Sequence, residues 1–531
     1  MKFKLINLLN VDVFDHPVSK IELIETHISW VILTGDIVYK IKKPVDFGFL
    51  DFSTLKKRRM YCEQEVLLNR RLAADIYLGV VAISGTDDRY SISKNLEDKD
   101  IIEYAVKMKQ FPQSAQLDNK LAAGDLTVDD MDAVAKMVAD FHSTTAVAEG
   151  SINYGSQDMV YHPVKENFEL IREHLNTNVY EDELDLLQKW SDKEFTKLAS
   201  VFDQRKQDGF IRECHGDMHL RNLVWLNDKP LAFDCIEFNP SLRWIDVISE
   251  VAFLVMDLQD RQQNELAYHF LNSYLEKTGD YAGLSVLSFY LCYRAMVRAK
   301  VDALQIEQKD AEKKEREQLI IEFQSYLKLA SCYTKPTEPK LIIMRGLSAS
   351  GKSTVSQQVV DVLGAIRVRS DVERKRLFNI PFNDTALNSK NKSSIDTGIY
   401  SQQASQQTYE KLAELASHII NAGFSVIVDA AFLKVKQREP FQALANHLAV
   451  AYVILEVTAP VEVLRQRIVS RDKGVSDADL AVLEHQLTNW QKLDEAENNS
   501  VISINTEEVL DVGALIIAIN KKKYIEKRGS T

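Results

Sequence analysis

The first hundred residues alternate apolar and polar positions in short segments. In residues 30–42, two alternating segments flank Thr34-Gly35-Asp36. Alternation with a period of two predicts strands, and a short polar break that contains glycine predicts a β-hairpin. Residues 54–73 change to a helical period. The pattern therefore predicts a small mixed lobe over about 1–107.

Helical periodicity dominates the next part of the chain. It runs from about 125 to 330 and is interrupted by short strand candidates around 211–236. A small mixed lobe followed by a larger helical lobe is the organisation of a bilobal kinase. Residues of about 108–333 are therefore predicted to form the large lobe.

A proline-containing segment ends this helical part. The segment Tyr333-Thr-Lys-Pro-Thr-Glu-Pro-Lys340 has two prolines, which stop one helix and disfavour another. Beyond it, strand-like and helical segments alternate, which predicts a parallel α/β sheet. The predicted bounds are 1–333 for the first domain, 334–340 for a linker, 341–518 for the second domain and 519–531 for a basic tail.

Composition narrows the class of protein. Of 531 residues, 45% are hydrophobic and 27% charged, which is ordinary for a globular protein. No apolar stretch reaches the about 18 residues of a membrane helix, so we expect no membrane partner. Five scattered cysteines without a CxxC pair argue against a zinc site and favour a reducing compartment, so we expect a cytoplasmic protein. The net charge of −12 comes from the residues before Lys340, and this acidic first half either disfavours broad nucleic-acid binding or only keeps the protein in solution.

A phosphate-binding motif opens the second domain. Gly346-Leu-Ser-Ala-Ser-Gly351-Lys352-Ser353-Thr354 matches G-x-x-x-x-G-K-[ST] after a predicted strand. Its backbone N–H groups turn around a phosphate, Lys352 neutralises phosphate charge and the Ser353 hydroxyl binds Mg²⁺. ATP and Mg²⁺ are therefore the expected ligands. The nucleotide-binding residues that the motif predicts are Gly346, Ser348, Ser350, Gly351, Lys352, Ser353 and Thr354.

Acidic residues follow two later strands of this domain. Asp371 comes at the end of the strand candidate 365–369 and is either the base that accepts the proton of the acceptor hydroxyl or a helix N-cap. Arg374, one turn later, is a candidate to hold an anionic group of the acceptor. Asp429 ends an apolar strand and either binds Mg²⁺ through water, orients the acceptor, or is an ordinary strand end.

Arginines on a later helical segment are candidate lid residues. Arg467 and Arg471 are four residues apart and share one helix face. Such a pair either closes over the transferring phosphates or forms a solvated basic face. Together, these motifs over about 340–515 resemble the P-loop small kinases, which include polynucleotide 5′-kinase, zeta-toxin-like proteins and antibiotic phosphotransferases. The resemblance implies that Asp371 is the base and that Arg467 and Arg471 belong to the lid.

A second kinase motif lies in the first domain. His215-Gly-Asp-Met-His-Leu-Arg-Asn222 fits H-x-D-x-x-x-x-N, and Phe233-Asp234 follows. At this spacing Asp217 accepts the proton of the attacking hydroxyl, while Asn222 and Asp234 hold the metal. His-Gly-Asp resembles the aminoglycoside phosphotransferase and choline-kinase branch. Glu237 is either a ligand of a second metal or a surface acid, and His215 is expected to be a structural hydrogen-bonding residue.

The kinase site also requires a lysine on a strand and a glutamate on a helix. Lys40 fits the lysine and Lys42, on the same face, is its rival. Glu65 is the preferred partner and Glu63 the second choice, with separate structural ion pairs as the alternative. The further expectations are that Arg243 and Asp246 brace the catalytic loop, that Arg294 and Arg298 either line an acceptor pocket or form surface ion pairs, and that 44–52 is either a lid or a domain contact.

The whole chain resembles bacterial proteins in which an aminoglycoside-phosphotransferase-like domain is fused to a predicted P-loop kinase. The resemblance implies a bilobal protein-kinase-like α+β fold, then an α/β P-loop NTPase fold with a parallel sheet, and ATP with Mg²⁺ in both. The function that we predict is a bifunctional phosphotransferase. Its acceptors are hydroxyls of small molecules or, in the second domain, of a small molecule or a polynucleotide end. The alternative is a regulatory protein in which one module senses the nucleotide without phosphoryl transfer.

Overall fold

Two compact units make up the structure. The computed structural model describes residues 3–46, 50–86, 89–98, 100–150, 152–175, 179–307, 313–380, 401–470, 480–495 and 497–524. One unit comprises Met1–Asp257 and Phe289–Ala330, and the other Leu258–Ser288 and Ser331–Thr531. The domain bounds stay a prediction. The units differ from them in one main respect, since Leu258–Ser288 groups with the second half of the chain.

The strands and helices follow the order that the sequence predicts: mainly strands with one α-helix at first, then mainly helices, and then alternating strands and helices. The described strands are β1 (Glu22–Glu25), β2 (Ser29–Leu33), β3 (Ile37–Lys42), β4 (Tyr77–Thr86), β5 (Arg89–Ser93), β6 (Ile101–Lys109), β7 (Ile211–Glu213), β8 (Leu223–Leu226), β9 (Lys229–Ala232), β10 (Trp244–Asp246), β11 (Lys340–Arg345), β12 (Ile366–Arg369), β13 (Val426–Asp429), β14 (Ala451–Thr458) and β15 (Val501–Asn505). The described α-helices are α1 (Leu55–Ala73), α2 (Leu117–Ala123), α3 (Val128–Thr144), α4 (Gln157–His174), α5 (Glu181–Gln207), α6 (Val247–Asp260), α7 (Asn264–Thr278), α8 (Leu284–Glu307), α9 (Lys313–Tyr333), α10 (Lys352–Leu363), α11 (Ser370–Leu377), α12 (Gln402–Asn421), α13 (Val435–His447), α14 (Val461–Ser470), α15 (Leu480–Thr488) and α16 (Val512–Lys521). Among these helices, none is long and apolar enough to cross a membrane.

The small lobe of the first unit is an antiparallel sheet of six strands with one helix packed on it. Its strand order is β1-β2-β3-β6-β4-β5. The predicted hairpin joins β2 to β3, and Gly35 has a φ of 104° in its turn, a backbone conformation that glycine adopts without strain. Thr54 caps α1 by accepting a hydrogen bond from the Lys57 N–H. One face of α1 is buried and carries both Glu65 and Asn69, which are one helical turn apart.

The large lobe is helical and encloses two short strand pairs. Strand β7 pairs with β10 and β8 pairs with β9, all antiparallel. The His215–Asn222 segment connects β7 to β8, and Phe233 and Asp234 follow β9. Because β8 and β9 are adjacent, the two motifs that the sequence separates are brought to the same side of the lobe.

The second unit is built on a five-stranded parallel sheet. Its order is β12-β13-β11-β14-β15, and every pairing is parallel. Strand β11 is buried along its whole length, as is expected of a central strand with helices on both faces. The carboxyl ends of β11, β12 and β13 lead into the phosphate loop, α11 and Asp429. Ligands bind at this edge of parallel α/β sheets. The antiparallel sheet with its helical lobe in the first unit and the parallel sheet in the second confirm the predicted fold class in both halves.

Helix α7 covers the edge strand β12 of this sheet. The Asn272 side chain accepts a hydrogen bond from the Arg367 N–H at 2.7 Å and donates one to the Ala365 carbonyl at 3.0 Å. An uncovered edge strand is a site for aggregation, and a side chain that pairs with its backbone removes that hazard. Periodicity had predicted α7 to be part of the first domain, but its contacts make it part of the second unit.

Candidate active sites

One buried carboxylate binds both candidate lysines of the small lobe. Lys40 Nζ lies 2.9 Å from Glu65 Oε1, and Lys42 Nζ lies 2.7 Å from Glu65 Oε2. Lys40 also pairs with Asp234, and Lys42 pairs with Glu237. The first unit contains a cavity of about 1160 Å³, and of the two lysines Lys40 lines this cavity and Lys42 does not. The structure thus places Lys40 against the predicted metal ligand and places Lys42 behind it, in the core.

Electrostatics keep this cluster ionised. Burial alone would lower the pKa of Lys40, but Asp234 and Glu65 raise it well above its ordinary value. Burial likewise opposes ionisation of Glu65, but the two ammonium groups lower its pKa to about 2. Glu63, the second choice of partner, pairs instead with Arg59 at the surface, at 3.0 Å.

The loop from His215 to Asn222 brings Asp217 and Asn222 together. Asn222 Nδ2 donates to Asp217 Oδ2 at 2.8 Å and to the Asp217 carbonyl at 3.0 Å. His219 Nε2 lies 3.4 Å from the same carboxylate oxygen. Burial would raise the pKa of Asp217, but His219 and more distant cationic groups hold it well below its ordinary value. Asp217 is therefore a carboxylate at neutral pH, and like Asp234 it faces the cavity.

Three neighbouring side chains fix the start of this loop. His215 Nε2 lies 2.9 Å from the Phe233 carbonyl, so the ring joins the two motifs, and burial lowers its pKa. Glu250 accepts hydrogen bonds from the backbone N–H groups of His215 at 3.1 Å and Gly216 at 2.6 Å. Arg294 Nη1 donates to the Gly216 carbonyl at 3.0 Å. Arg294 therefore positions the His215–Asn222 loop as well as lining the cavity, and it is buried rather than a surface ion-pairing residue.

The two residues expected to brace the loop differ in their contacts. The Arg243 carbonyl accepts from the Cys214 N–H at 2.8 Å, directly before His215. Asp246 instead pairs with Arg205, at 2.6 Å from Nε. Arg243 thus braces the loop directly, whereas Asp246 ties helix α5 to β10.

The Asp234 segment is held from the small lobe by residues that sequence reasoning missed. Asp234 has a φ of 62°, which is uncommon for a residue with a side chain. Its N–H donates to the Tyr77 hydroxyl at 3.1 Å, and the Cys235 N–H donates to Asn69 Oδ1 at 2.8 Å. Asn69 is four residues after Glu65 on α1, and that spacing is the signal that would have found it.

A buried group of possible metal ligands lies beneath the same loop. His142, Cys214 and Glu250 have ligand atoms close to one another. However, Glu250 accepts from His142 Nε2 at 3.0 Å and from two backbone N–H groups. These donors account for the Glu250 oxygens, so the cluster is a structural hydrogen-bonded group.

In the second unit, the phosphate loop has the geometry that the motif predicts. A side-chain carbon at Gly346 would collide with the Val457 carbonyl, and Gly351 has a φ of 92° directly before α10. The side chains of Ser353 and Thr354 are exposed on the first turn of α10. Lys352 Nζ donates to the carbonyls of Gly346 at 3.0 Å and Leu347 at 2.8 Å.

Two side chains from later elements also bind the phosphate loop. Gln486 Oε1 of α15 accepts the Ser348 N–H at 2.8 Å. Arg467 of α14 donates to the Ala349 carbonyl at 3.3 Å and to Thr506 Oγ1 at 2.8 Å. Arg467 thus reaches the loop, as a lid residue would. Its predicted companion Arg471 lies outside the described residues.

The acidic candidates lie at the carboxyl ends of β12 and β13. Asp371 is the second residue of α11, so it is not the N-cap, and its side chain is 49% exposed. Its carboxylate accepts from Arg369 Nη2 at 2.8 Å, and Arg374 follows on the next turn of α11. Asp429 is buried and accepts from Ser356 Oγ of α10 at 3.1 Å. Ser356 lies one helical turn after Ser353, the candidate metal ligand, so Asp429 contacts α10 close to that residue.

A residue of α7 also reaches this edge of the sheet. Glu276 lies 3.0 Å from Arg369 Nη1 and 3.5 Å from Arg367 Nη2. Arg369 is thus shared between Glu276 and Asp371. No sequence signal connected Glu276 with Asp371, because α7 precedes the linker in the chain.

Comparisons with known proteins find one matching domain family, two mycobacterial relatives and several similar solved structures. The AAA domain family matches residues 341–493. The uncharacterized proteins Rv2004c of Mycobacterium tuberculosis and Mb2027c of Mycobacterium bovis are each 30% identical over 466 residues, 87% of this chain and 89% of theirs. Among solved structures, the ethanolamine kinase of Plasmodium vivax is 11% identical, with 61% of this chain and 85% of that chain covered and a TM-score of 0.37. The APS kinase CysC of Mycobacterium tuberculosis is 16% identical, with 35% and 100% covered and a TM-score of 0.27.

The similarity to the mycobacterial relatives extends over most of both chains. The chain belongs to the family of these mycobacterial proteins, and its residues 341–493 match the AAA domain.

Proposed function

We propose that the chain is a bifunctional ATP-dependent phosphotransferase with one transfer site in each unit. The observation that carries the proposal is the convergence of two distant motifs on one cavity of about 1160 Å³ in the first unit. Lys40 and Asp234 form an ion pair at its wall, and Asp217 faces the same space. A cation, a metal-binding carboxylate and a proton-accepting carboxylate are the groups that phosphoryl transfer to a hydroxyl requires.

In the first site, Asp217 orients the acceptor hydroxyl. The hydroxyl oxygen bonds to the γ-phosphorus of ATP, the bond from that phosphorus to the bridging oxygen breaks, and the proton passes to Asp217. The depressed pKa of Asp217 makes it a weak base. A weak base suits a loose transition state, in which the hydroxyl loses its proton late.

The residues near Asp217 fit the magnesium ion that accompanies ATP. Mg²⁺ prefers oxygen ligands. The amide nitrogen of Asn222 is used by Asp217, which leaves its oxygen for a cation, and Asp234 is 44% exposed toward the cavity. The Phe233 N–H donates to the Asn222 carbonyl at 3.0 Å, which keeps the two ligands adjacent. Bound there, Mg²⁺ would neutralise charge on the nucleotide phosphates.

In the second site, the phosphate loop binds the nucleotide and Asp371 accepts the proton of a second hydroxyl. Lys352 exchanges its loop carbonyls for phosphate oxygens. Ser353 and Asp429 would hold Mg²⁺ through their side-chain oxygen atoms, and Arg374 holds an anionic group of the acceptor. Arg467 supports the phosphates from the lid side. The acceptor is a small molecule or the end of a polynucleotide.

Single-site variants of the full chain test both activities. We expect Asp217→Asn to abolish transfer from γ-labelled ATP to one product, and Lys352→Ala to abolish transfer to another, in a cell extract with added RNA oligonucleotides. The matched controls are Asp140→Asn and Lys411→Ala, whose side chains form ion pairs away from both sites. If one variant loses both labelled products, or if a variant loses neither, the two sites are not independent transfer sites.

The second candidate function is a nucleotide sensor, which the contacts of the phosphate loop favour. Gln486 holds the Ser348 N–H, so a nucleotide that takes this donor must release α15. In that case Lys352→Ala would abolish nucleotide binding in the second unit and would change the rate of the first site, and no second labelled product would be found.

A further inference from the structure

The cavity of the first unit has two chemically different ends. One end is lined by strands β1, β2 and β3, by Met108 and Lys109 at the end of β6, and by Gln110 and Phe111, which follow that strand. Helices α4 and α8 line the other. Lys40 and Asp234 hold the phosphates, so the nucleotide base occupies the strand end. The helical end, beyond Asp217, is left for the acceptor.

Two opposite charges face this helical end from different helices. Glu166 lies on α4 and Lys300 on α8, and both line the cavity. Among the described residues, neither side chain takes part in a hydrogen bond or ion pair. Burial lowers the pKa of Lys300, and the charge of Glu166 only partly offsets this effect. A half-buried ammonium and a carboxylate that stand apart are each left to pair with a ligand.

Besides these two charges, Tyr293 and Arg294 of α8 and His162 of α4 line the helical end, and its remaining α4 and α8 side chains are apolar. Val297, Val301 and Leu304 of α8 and Met159 of α4 line it. Val297, Val301 and Leu304 are spaced by four and three residues, so they share the face of α8 that carries Lys300. A ligand at this end is therefore held by two charges and packs a short carbon chain against apolar side chains.

We infer that the acceptor of the first site is a hydroxyl-bearing zwitterion, a hydroxy amino acid, whose carboxylate binds Lys300, whose ammonium binds Glu166 and whose hydroxyl meets Asp217. This inference rests on the proposed function of the first site. The hydroxyl oxygen bonds to the γ-phosphorus, the bond to the ADP oxygen breaks, and the proton passes to Asp217. The products are an O-phosphorylated amino acid and ADP.

Other hydroxyl compounds match the two charges less well. An amino alcohol without a carboxylate would bring a second cation beside Lys300 and leave it unpaired. A neutral polyol would leave both charges unpaired, and charged groups that are half-buried without partners strongly disfavour a ligand. The pair of charges therefore acts as a selection for a ligand that carries both signs.

Calorimetry on the full chain tests this inference directly. The Lys352→Ala variant confines nucleotide to the first site, and Mg²⁺ with a non-hydrolysable ATP analogue is present throughout. The probes are L-serine, L-threonine and L-homoserine, compared with ethanolamine and glycerol. We expect at least one hydroxy amino acid to bind, and Lys300→Met and Glu166→Gln each to weaken that binding by about tenfold or more, the loss of one charge-assisted hydrogen bond.

Matched controls on the outer face of α4 are Lys165→Met and Glu169→Gln, which change exposed side chains on either side of Glu166 and should leave binding unchanged. If the nucleotide analogue itself fails to bind, the proposed function of the site is wrong. If the analogue binds but no hydroxy amino acid does, or if ethanolamine or glycerol binds as tightly, the inference alone is overturned. Unchanged binding in Lys300→Met and Glu166→Gln also overturns it.

Discussion

The contact between Asn272 and the edge strand β12 gives a quantitative prediction for Asn272→Ala. The asparagine is buried and makes two hydrogen bonds to the chain at β12, with the Arg367 N–H and the Ala365 carbonyl, besides one to the Tyr268 carbonyl within α7. Alanine removes both bonds at β12. At a net 0.5–1.5 kcal/mol for each bond, the loss is about 2 kcal/mol for the local stability of β12. Since 1.4 kcal/mol corresponds to a factor of ten, amides of β12 should exchange about 30-fold faster.

Hydrogen exchange followed by mass spectrometry on the full chain measures this change. Peptides that contain β12 should lose protection in Asn272→Ala, while peptides of β3 in the first unit should not change. The matched control is Asn421→Ala, an exposed asparagine at the end of α12 in the same unit. If a folded Asn272→Ala protein protects β12 as well as the unsubstituted chain does, α7 does not stabilise this edge.

Three further substitutions test the electrostatics of the two sites. In a Lys352→Ala background, which disables the second site, Glu65→Gln should slow ADP formation by about tenfold or more, because two lysines lose their shared carboxylate. Glu63→Gln should leave that rate unchanged, and equal effects of the two substitutions would contradict the assignment of Glu65. Gln486→Ala frees the Ser348 N–H, so a fluorescent ATP analogue should bind the phosphate loop about two- to tenfold more tightly, and weaker binding would refute this reasoning. Burial opposes ionisation of Glu250, but its hydrogen bonds lower its pKa to about 2. Below about pH 4.5 the folded state therefore binds fewer protons than the unfolded state, and the stability of the fold decreases as the pH falls toward 2. Glu250→Gln should flatten the fall in the urea midpoint between pH 5 and pH 3, and an unchanged slope would contradict it.

Much of the fold could be predicted because periodicity records which face of each element is buried. The hairpin at Thr34-Gly35-Asp36 and the parallel sheet that begins at β11 are confirmed. The phosphate loop and the His215–Asn222 motif could also be found, since their chemistry fixes the spacing of neighbouring residues. What these motifs transfer, and to which acceptor, stays a prediction.

The features that were missed depend on contacts between distant parts of the chain. Lys40 and Lys42 have the same alternation, and only the packing of α1 shows that both reach Glu65 while Lys40 alone of the two meets Asp234. Asn69 and Tyr77, which hold the segment of Asp234, are ordinary helix and strand residues by pattern. Periodicity identifies the buried face of an element but not the partner that buries it.

The placement of α7 shows the same limit. Its apolar residues recur at helical spacing, which fits burial against either half of the chain. The buried residues of α7 are Leu266, Ala267, His269, Phe270, Leu271, Asn272, Tyr274 and Leu275. Contacts that no pattern predicts, such as those of Asn272 with the Ala365 carbonyl and of Glu276 with Arg369, assign the helix to the second unit.

The position of α7 in the chain also limits how this protein can evolve. A gene split within the proline-containing segment would give one product with the apolar side of α7 uncovered and another with β12 open to intermolecular pairing. Both fragments would be prone to aggregation, so selection would remove such a split. Descendants that abandon one chemistry are therefore expected to do so by replacing a few side chains and keeping the full length.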